Sequence, residues 1–157
     1  MNRLTTGCPA PDFELPDQNG VMTKLHALQG KKVLVYFYPK AMTPGCTTQA
    51  CALRDSKSDL DQRNVVVLGI SPDNSTRLKK FEARDELNFT LLADEEHKVA
   101  DAFGVFGPKK FMGKEYDGIH RISFLINEQG TIEHVFDNFK TSNHHQILID
   151  YLDSLSA

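Results

Sequence analysis

No apolar run in the chain approaches the ~18 residues that a membrane-spanning helix requires. A basic excess is missing too. The 18 Lys and Arg stand against 21 Asp and Glu, a formal net charge of −3, so the charge balance points neither to nucleic acid nor to an anionic membrane surface. The dibasic pairs Lys31-Lys32, Lys79-Lys80 and Lys109-Lys110 are scattered and read as solvated surface. Cysteine is scarce and odd in number: three thiols do not make a disulfide scaffold, and they suit the reducing cytoplasm. The opening MNRLTTGCPAPDFELPD has no apolar core of a signal peptide, so no secretory leader is expected. Six histidines occur without metal-ligand spacing; His144-His145 reads as surface at a helix start, and His120 as structural support beside Arg121. Repeats, low-complexity segments and linkers are absent, and residues 1–157 read as one domain.

What is present centres on VLVYFYPKAMTPGCTTQACALRD, residues 33–55. Residues 33–38 are apolar or aromatic, the composition of a buried strand. Pro39 ends that strand, and Thr43-Pro44 opens a helix with threonine at the N-cap and proline in the first turn. Cys46 then lies at a helix N-terminus, where unpaired amides and the positive end of the dipole stabilise a thiolate. Positions 46, 50, 53, 57 and 60 share one face, which places Cys46 on the inward stripe of a helix running to Asn64.

Around this stretch the pattern predicts a short hairpin from 13–15 and 21–24, a helical turn at 25–28, and a buried strand at 65–71. A helix follows through Leu78 and Phe81 to about Leu87, then a strand at 89–92 and a helix marked by Val99, Ala100 and Phe103. Residues 104–118 read as a glycine-rich aromatic loop. Strands are expected at 121–126 and 131–136 around a turn at 127–130, and a last helix uses Ile147, Leu148, Tyr151, Leu152 and Leu155. The order predicts an α/β fold: a central mixed sheet, parallel strands first and an antiparallel hairpin last, covered by helices on both faces.

The run Pro39-Lys40-Ala41-Met42-Thr43-Pro44-Gly45-Cys46 resembles the Pro-xxx-Thr-xx-Cys signature of peroxiredoxins. Thr47-Thr48-Gln49-Ala50-Cys51, the opening GCPAPDFELPD, YDGIHRISFLI at 116–126 and FKTSNHH at 139–145 are similar to the bacterioferritin comigratory protein, or peroxiredoxin Q, subgroup. The resemblance spans essentially the whole chain. It implies a thioredoxin-like fold and a monomeric antioxidant enzyme that reduces hydrogen peroxide and organic hydroperoxides with electrons from thioredoxin or a glutaredoxin. It also implies roles: Cys46 attacks the peroxide, Thr43 and Arg121 polarise it, Pro39 shields the sulfur, and Cys51 resolves a sulfenic acid as a Cys46–Cys51 disulfide. No metal, flavin or haem is needed, since sulfur carries both electrons.

Thiolate formation alone does not make a fast peroxidase. A cysteine whose pKa falls to ~6 gains roughly thirty-fold in thiolate at most, and loses some nucleophilicity. The larger contribution is stabilisation of charge on the departing oxygen, for which the Thr43 hydroxyl, the Gly45 and Cys46 amides and a fixed guanidinium are the candidate donors. Spacing does not choose the guanidinium; the resemblance points to Arg121, with Arg54, beside Asp55, as the competitor. Gln49 reads either as an exposed helix residue or as a support to the site, and Phe106, Phe111 and Tyr116 either as channel wall or as packing. Cys8 matches nothing in the scheme. A protein disulfide oxidoreductase would want Cys-xx-Cys, and a copper-binding module a histidine converging on paired thiols; a peroxide sensor would use the same chemistry to signal.

On an ideal helix Cys46 and Cys51 are separated by roughly 8–9 Å between Cα atoms with diverging side chains, beyond the ~7 Å reach of a disulfide. A disulfide between them requires the helix to unwind.

Overall fold

The computed structural model describes residues 3–155. A short antiparallel hairpin comes first, β1 (Glu14–Pro16) against β2 (Met22–Lys24), followed by a 3-10 turn over Leu25–Leu28. The apolar run becomes β3 (Lys32–Phe37), and α1 (Pro44–Asp55) and α2 (Lys57–Gln62) lead to β4 (Val65–Ser71). Then come α3 (Ser75–Asp85), β5 (Thr90–Ala93), α4 (Lys98–Ala102), β6 (Phe106–Phe111) and β7 (Lys114–Ile119). The chain closes with β8 (Ser123–Ile126), β9 (Ile132–Phe136) and α5 (His144–Ser154).

Five strands form the sheet in the order β5-β4-β3-β8-β9. The β5, β4 and β3 strands are parallel, and β8 and β9 are antiparallel additions on the other side of β3. One face packs Tyr36 and Tyr38 against Ala50, Leu53, Leu60, Leu78, Phe81, Leu148 and Leu152 of α1, α2, α3 and α5. The opposite face packs Val35 and Phe37 against Phe13, Leu25 and Phe103, with Val99 and Ala100 of α4. The outer edges of the sheet are met by the N-terminal segment, through bridges Pro9↔Thr131 and Asp17↔Leu92. Gln18 adds to the second, its amide oxygen accepting from Leu91 N at 3.0 Å and its nitrogen donating to the Phe89 carbonyl at 3.2 Å.

Several expectations need correction. The helix from Pro44 does not run unbroken to Asn64: Ser56, at φ −97° and ψ 4°, closes α1 with its N–H on the Ala52 and Leu53 carbonyls. Ser56 rather than Lys57 is then the inward residue, so the stripe is rotated and the charged side chain stays half exposed. The 104–118 region is not a loop but largely the β6–β7 hairpin, turning at Met112 and Gly113, both with positive φ (52° and 81°). Within it Phe106 stacks on His97 at 4.3 Å and Tyr116 is exposed, while the Phe111 side chain lies outside the described residues. Among the dibasic pairs Lys109 is half-buried and donates to the Ile119 carbonyl at 2.8 Å, and Lys32 is largely covered and paired with Glu133, so neither is the solvated surface lysine expected. His144 is buried, not superficial, because α5 lies flat on the sheet and brings its Nε2 within 2.8 Å of Ser123 Oγ on β8. At the far end of that helix Leu155, expected on the apolar stripe, is exposed.

Two predictions follow from this packing. Tyr36 pairs in register with Gly69, and a Cβ there would lie 2.9 Å from the Tyr36 ring and hydroxyl. Gly69→Ala is therefore expected to lose about 1–3 kcal/mol of stability by overpacking, read as a lower midpoint in urea unfolding. Burial pushes the pKa of His144 down to about 3, with the charges of His145 and Arg121 adding to the effect. The unfolded chain takes up that proton first as pH falls, so the stability held above about pH 6.5 is lost progressively toward pH 3, by on the order of 5 kcal/mol. His144→Gln should flatten that part of the stability–pH curve, measured by denaturation midpoints from pH 7 to pH 4.

Candidate active site

The site forms where β3 ends and α1 begins. Beyond β3 the Tyr38 N–H still reaches the Ile70 carbonyl at 3.1 Å, and the half-buried Pro39 then breaks the ladder. Ala41, fully buried, donates its N–H to Asp73 Oδ2 at 2.8 Å and accepts from Arg77 Nη2 at 3.0 Å. Met42 takes φ 66°, a left-handed conformation unusual for a side chain of its size, and the chain turns into the helix.

Thr43 occupies the N-cap position, but its side chain does not cap. Its hydroxyl donates to the Lys40 carbonyl at 2.9 Å, so the expected donor toward the site has its hydrogen committed elsewhere and presents an oxygen acceptor. The first helical bond is Thr47 N to Thr43 O at 2.8 Å. Among the described residues nothing takes the Gly45 or Cys46 N–H. They are the orphan donors of a helix first turn.

Cys46 is 1% exposed, in the first turn of α1 on its inward face. Arg121 Nη1 donates to its sulfur at 3.3 Å and to Gln49 Oε1 at 2.9 Å. Gln49 is fully buried against that guanidinium, so it is not the exposed helix residue of one of its two readings; its Nε2 has no partner among the described residues. Arg121 sits in the link between β7 and β8 rather than on a strand. The backbone on either side is held by His120 N to Val105 O at 2.7 Å and Phe37 N to Ile122 O at 3.1 Å, which anchors the link to both β3 and the loop after α4. His120 also bonds Pro108 O through its ring at 3.0 Å, the structural place expected of it. A Cβ on Gly45 would meet Arg121 Nη2 at 3.5 Å and the Thr141 methyl at 3.7 Å, so glycine leaves space on the sulfur's side of the first turn.

Arg54, the competing guanidinium, pairs with Asp55 at 2.9 Å and donates to the Asp85 carbonyl at 2.6 Å, away from the sulfur. Cys51 lies further along α1, half-buried, and burial pushes its thiol pKa up against the pull of the Arg54 charge. Cys46, Cys51 and Cys8 are all unpaired thiols here, and α1 is wound through the first two. Cys8 lies apart from the site, with its sulfur 3.6 Å from Thr5 Oγ1. The geometry joins a buried sulfur, a guanidinium, two free amide donors and one acceptor oxygen. It suits attack by sulfur on a small molecule whose departing atom gains negative charge.

Comparison with known proteins agrees with that chemistry. The family model described as AhpC/TSA matches residues 6–135. Peroxiredoxin Bcp of Escherichia coli is 60% identical over 152 residues, 97% of each chain. Among solved structures, peroxidoxin BcpB from Mycobacterium tuberculosis matches with a TM-score of 0.87 at 32% identity, over 99% of this chain and 100% of that one. Bacterioferritin comigratory protein of Xanthomonas campestris, in a structure concerned with its alkyl peroxide reduction, matches with a TM-score of 0.86 at 28% identity over 92% of each. The architecture is thus the thioredoxin-like peroxiredoxin fold, and the chain belongs to the AhpC/TSA family, among its Bcp-type peroxiredoxins.

Proposed function

We propose that this peroxiredoxin reduces hydrogen peroxide and alkyl hydroperoxides through a Cys46 sulfenic acid and a Cys46–Cys51 disulfide, with thioredoxin as the reductant and a glutaredoxin as the alternative. In this reading residues 1–157 act as a single catalytic unit, a monomer of the cytoplasm in antioxidant defence. The observation that carries it is the guanidinium of Arg121, held by Gln49 at 2.9 Å while it lies 3.3 Å from the buried sulfur.

Cys46 Sγ attacks the terminal peroxide oxygen. An S–O bond forms as the O–O bond breaks, sulfur gives up two electrons, and the departing oxygen leaves as water or alcohol after taking a proton. Arg121 and the Gly45 and Cys46 amides stabilise the charge on that oxygen as it develops. Thr43 Oγ1, whose hydrogen is occupied by the Lys40 carbonyl, accepts the hydroperoxide O–H and orients it. Pro39 keeps bulk water from the sulfur. Cys51 then attacks the Cys46 sulfur, hydroxide departs as water once protonated, and the S–S bond forms. Burial raises the Cys51 thiol pKa in the wound helix and so disfavours its thiolate there, and unwinding both removes that penalty and brings the sulfurs within reach. Thioredoxin reduces the disulfide and α1 rewinds.

Stopped-flow mixing of the reduced protein with one equivalent of hydrogen peroxide, with mass mapping of the quenched product, tests this. Fast loss of two thiols with a Cys46–Cys51 bond is expected, absent in Cys46→Ser; oxidation as slow as that of a free thiol would sink the reading. Cys51→Ser should stop at the Cys46 sulfenic acid. Arg121→Met should slow Cys46 oxidation by roughly 10²–10³-fold, the cost of one lost donor to a developing oxyanion, with hydrogen peroxide and a neutral alkyl hydroperoxide affected alike.

A further inference from the structure

Helix α3 and its flanks hold the Cys46 segment at three points that are built differently. At the first, both backbone polar groups of buried Ala41 are taken, by the Asp73 carboxylate at 2.8 Å and by Arg77 at 3.0 Å. Asp73 is itself buried, accepts from Ser71 Oγ at 2.8 Å and pairs with Arg77 at 3.0 Å. At the last, Arg54 Nη1 donates to the Asp85 carbonyl at 2.6 Å and Asn88 donates to the Arg54 carbonyl at 3.2 Å, with Leu53 beside them fully buried. Between the two lies a lighter contact. Arg84 Nη2 donates to Thr47 Oγ1 at 2.8 Å, an exposed bond from a guanidinium that also pairs with Asp85 at 2.9 Å.

Among the described residues this is the one hydrogen bond from α3 into the stretch between the two anchored points. The stretch is also the part of α1 that must leave helical geometry for Cys46 and Cys51 to meet. Met42, just inside the first anchor, is held at φ 66°, and a left-handed non-glycine residue favours release of the turn that holds it.

We infer that α3 divides this region into a fixed frame and a releasable segment. The clamps on Ala41 and Arg54 stay closed while residues 43–52 unwind, and Arg84 is the positioning residue whose bond to Thr47 sets how often they do. The inference rests on the reading of Cys51 as the resolving thiol. Its consequence is a partition. While the segment is wound, a Cys46 sulfenic acid stays in the pocket, where a second peroxide carries it to sulfinic acid. Once the segment is released, Cys51 captures the sulfur instead.

Hydrogen exchange of the reduced protein, followed by mass spectrometry, and a peroxide titration read by intact mass test it in wild type, Arg84→Gln, Arg84→Lys and Thr47→Val. Arg84→Gln and Thr47→Val cut the same bond from its two sides. Both should speed exchange of amides 47–52 roughly ten-fold, while the amides at 41 and 60, bonded to Asp73 and to the Ser56 carbonyl outside the released segment, keep wild-type protection. Both should raise several-fold the peroxide concentration that gives half sulfinic acid, and Arg84→Lys should recover part of the difference. Unchanged exchange at 47–52, or exchange that spreads through 41 and 60 as one unit, overturns the clamp model while the wild-type disulfide still forms. A wild-type protein that makes no Cys46–Cys51 bond overturns the resolving reading, and the partition with it.

Discussion

The contact on which this site depends is the guanidinium of Arg121 against the sulfur of Cys46, two residues 75 apart in sequence. Arg121 is half-buried and has no carboxylate partner among the described residues. A cation so placed is costly unless its donors are used. Here they are used by the Gln49 amide oxygen and by the sulfur itself, so the charge is directed at the sulfur instead of being neutralised by a carboxylate. The sheet makes the aim possible. β3 delivers Cys46 through the turn at its end, β8 follows Arg121 by two residues, and the two strands are antiparallel neighbours. Any shift of their register would move cation and nucleophile apart.

The proposed cycle asks the same helix for two incompatible geometries. Wound, it places Cys46 beside Arg121 with free first-turn donors and leaves Cys51 half-buried with its thiol pKa raised. Unwound, it lets the thiols approach but dissolves the donor array. The proposed cycle therefore alternates between a state competent for peroxide and a state competent for resolution, and the free energy between them governs both steps. On the side of α1 that faces α3 the ties match that demand: its beginning and end are held by bonds to buried groups, while the stretch between carries one exposed bond. A helix tied uniformly along its length would favour the first chemical step and oppose the second.

The sheet was legible because its central strands are buried on both faces and so appear as near-continuous apolar runs; 65–71 matches β4 residue for residue. The start of α1 was equally plain from Thr43-Pro44. The hairpin of β6 and β7 was not. It stands apart from the main sheet, so its strands carry lysines and glycines without the alternation that a half-buried strand shows, and its turn uses Met112 at a positive φ in place of the usual asparagine or aspartate. The X-Gly pair at 112–113 was the available signal. At the site, Cys46 and Pro39 stand out from local pattern, but Arg121 came only from resemblance, since no local spacing encodes a contact across 75 residues. Gln49 was ambiguous for a related reason: glutamine on a helix is usually exposed, and only the buried guanidinium opposite gives it a reason to face inward. His144 failed in the same way, its partner Ser123 lying on a different element.

The N-terminal segment does more than precede the fold. Residues 7–10 bond to the 130–132 stretch at the outer side of β9, and Asp17 and Gln18 bond to the outer side of β5, with Phe13 packed on the sheet face between. One strap therefore closes both ends of the sheet. It does so with Pro9 and with a side-chain amide, neither of which offers a regular ladder to another strand. Removing these residues would bare two unpaired β edges at once, so the penalty of truncation would fall on self-association before it reached catalysis. The candidate site and the cover of the sheet edges are thus encoded in separate stretches of the same chain.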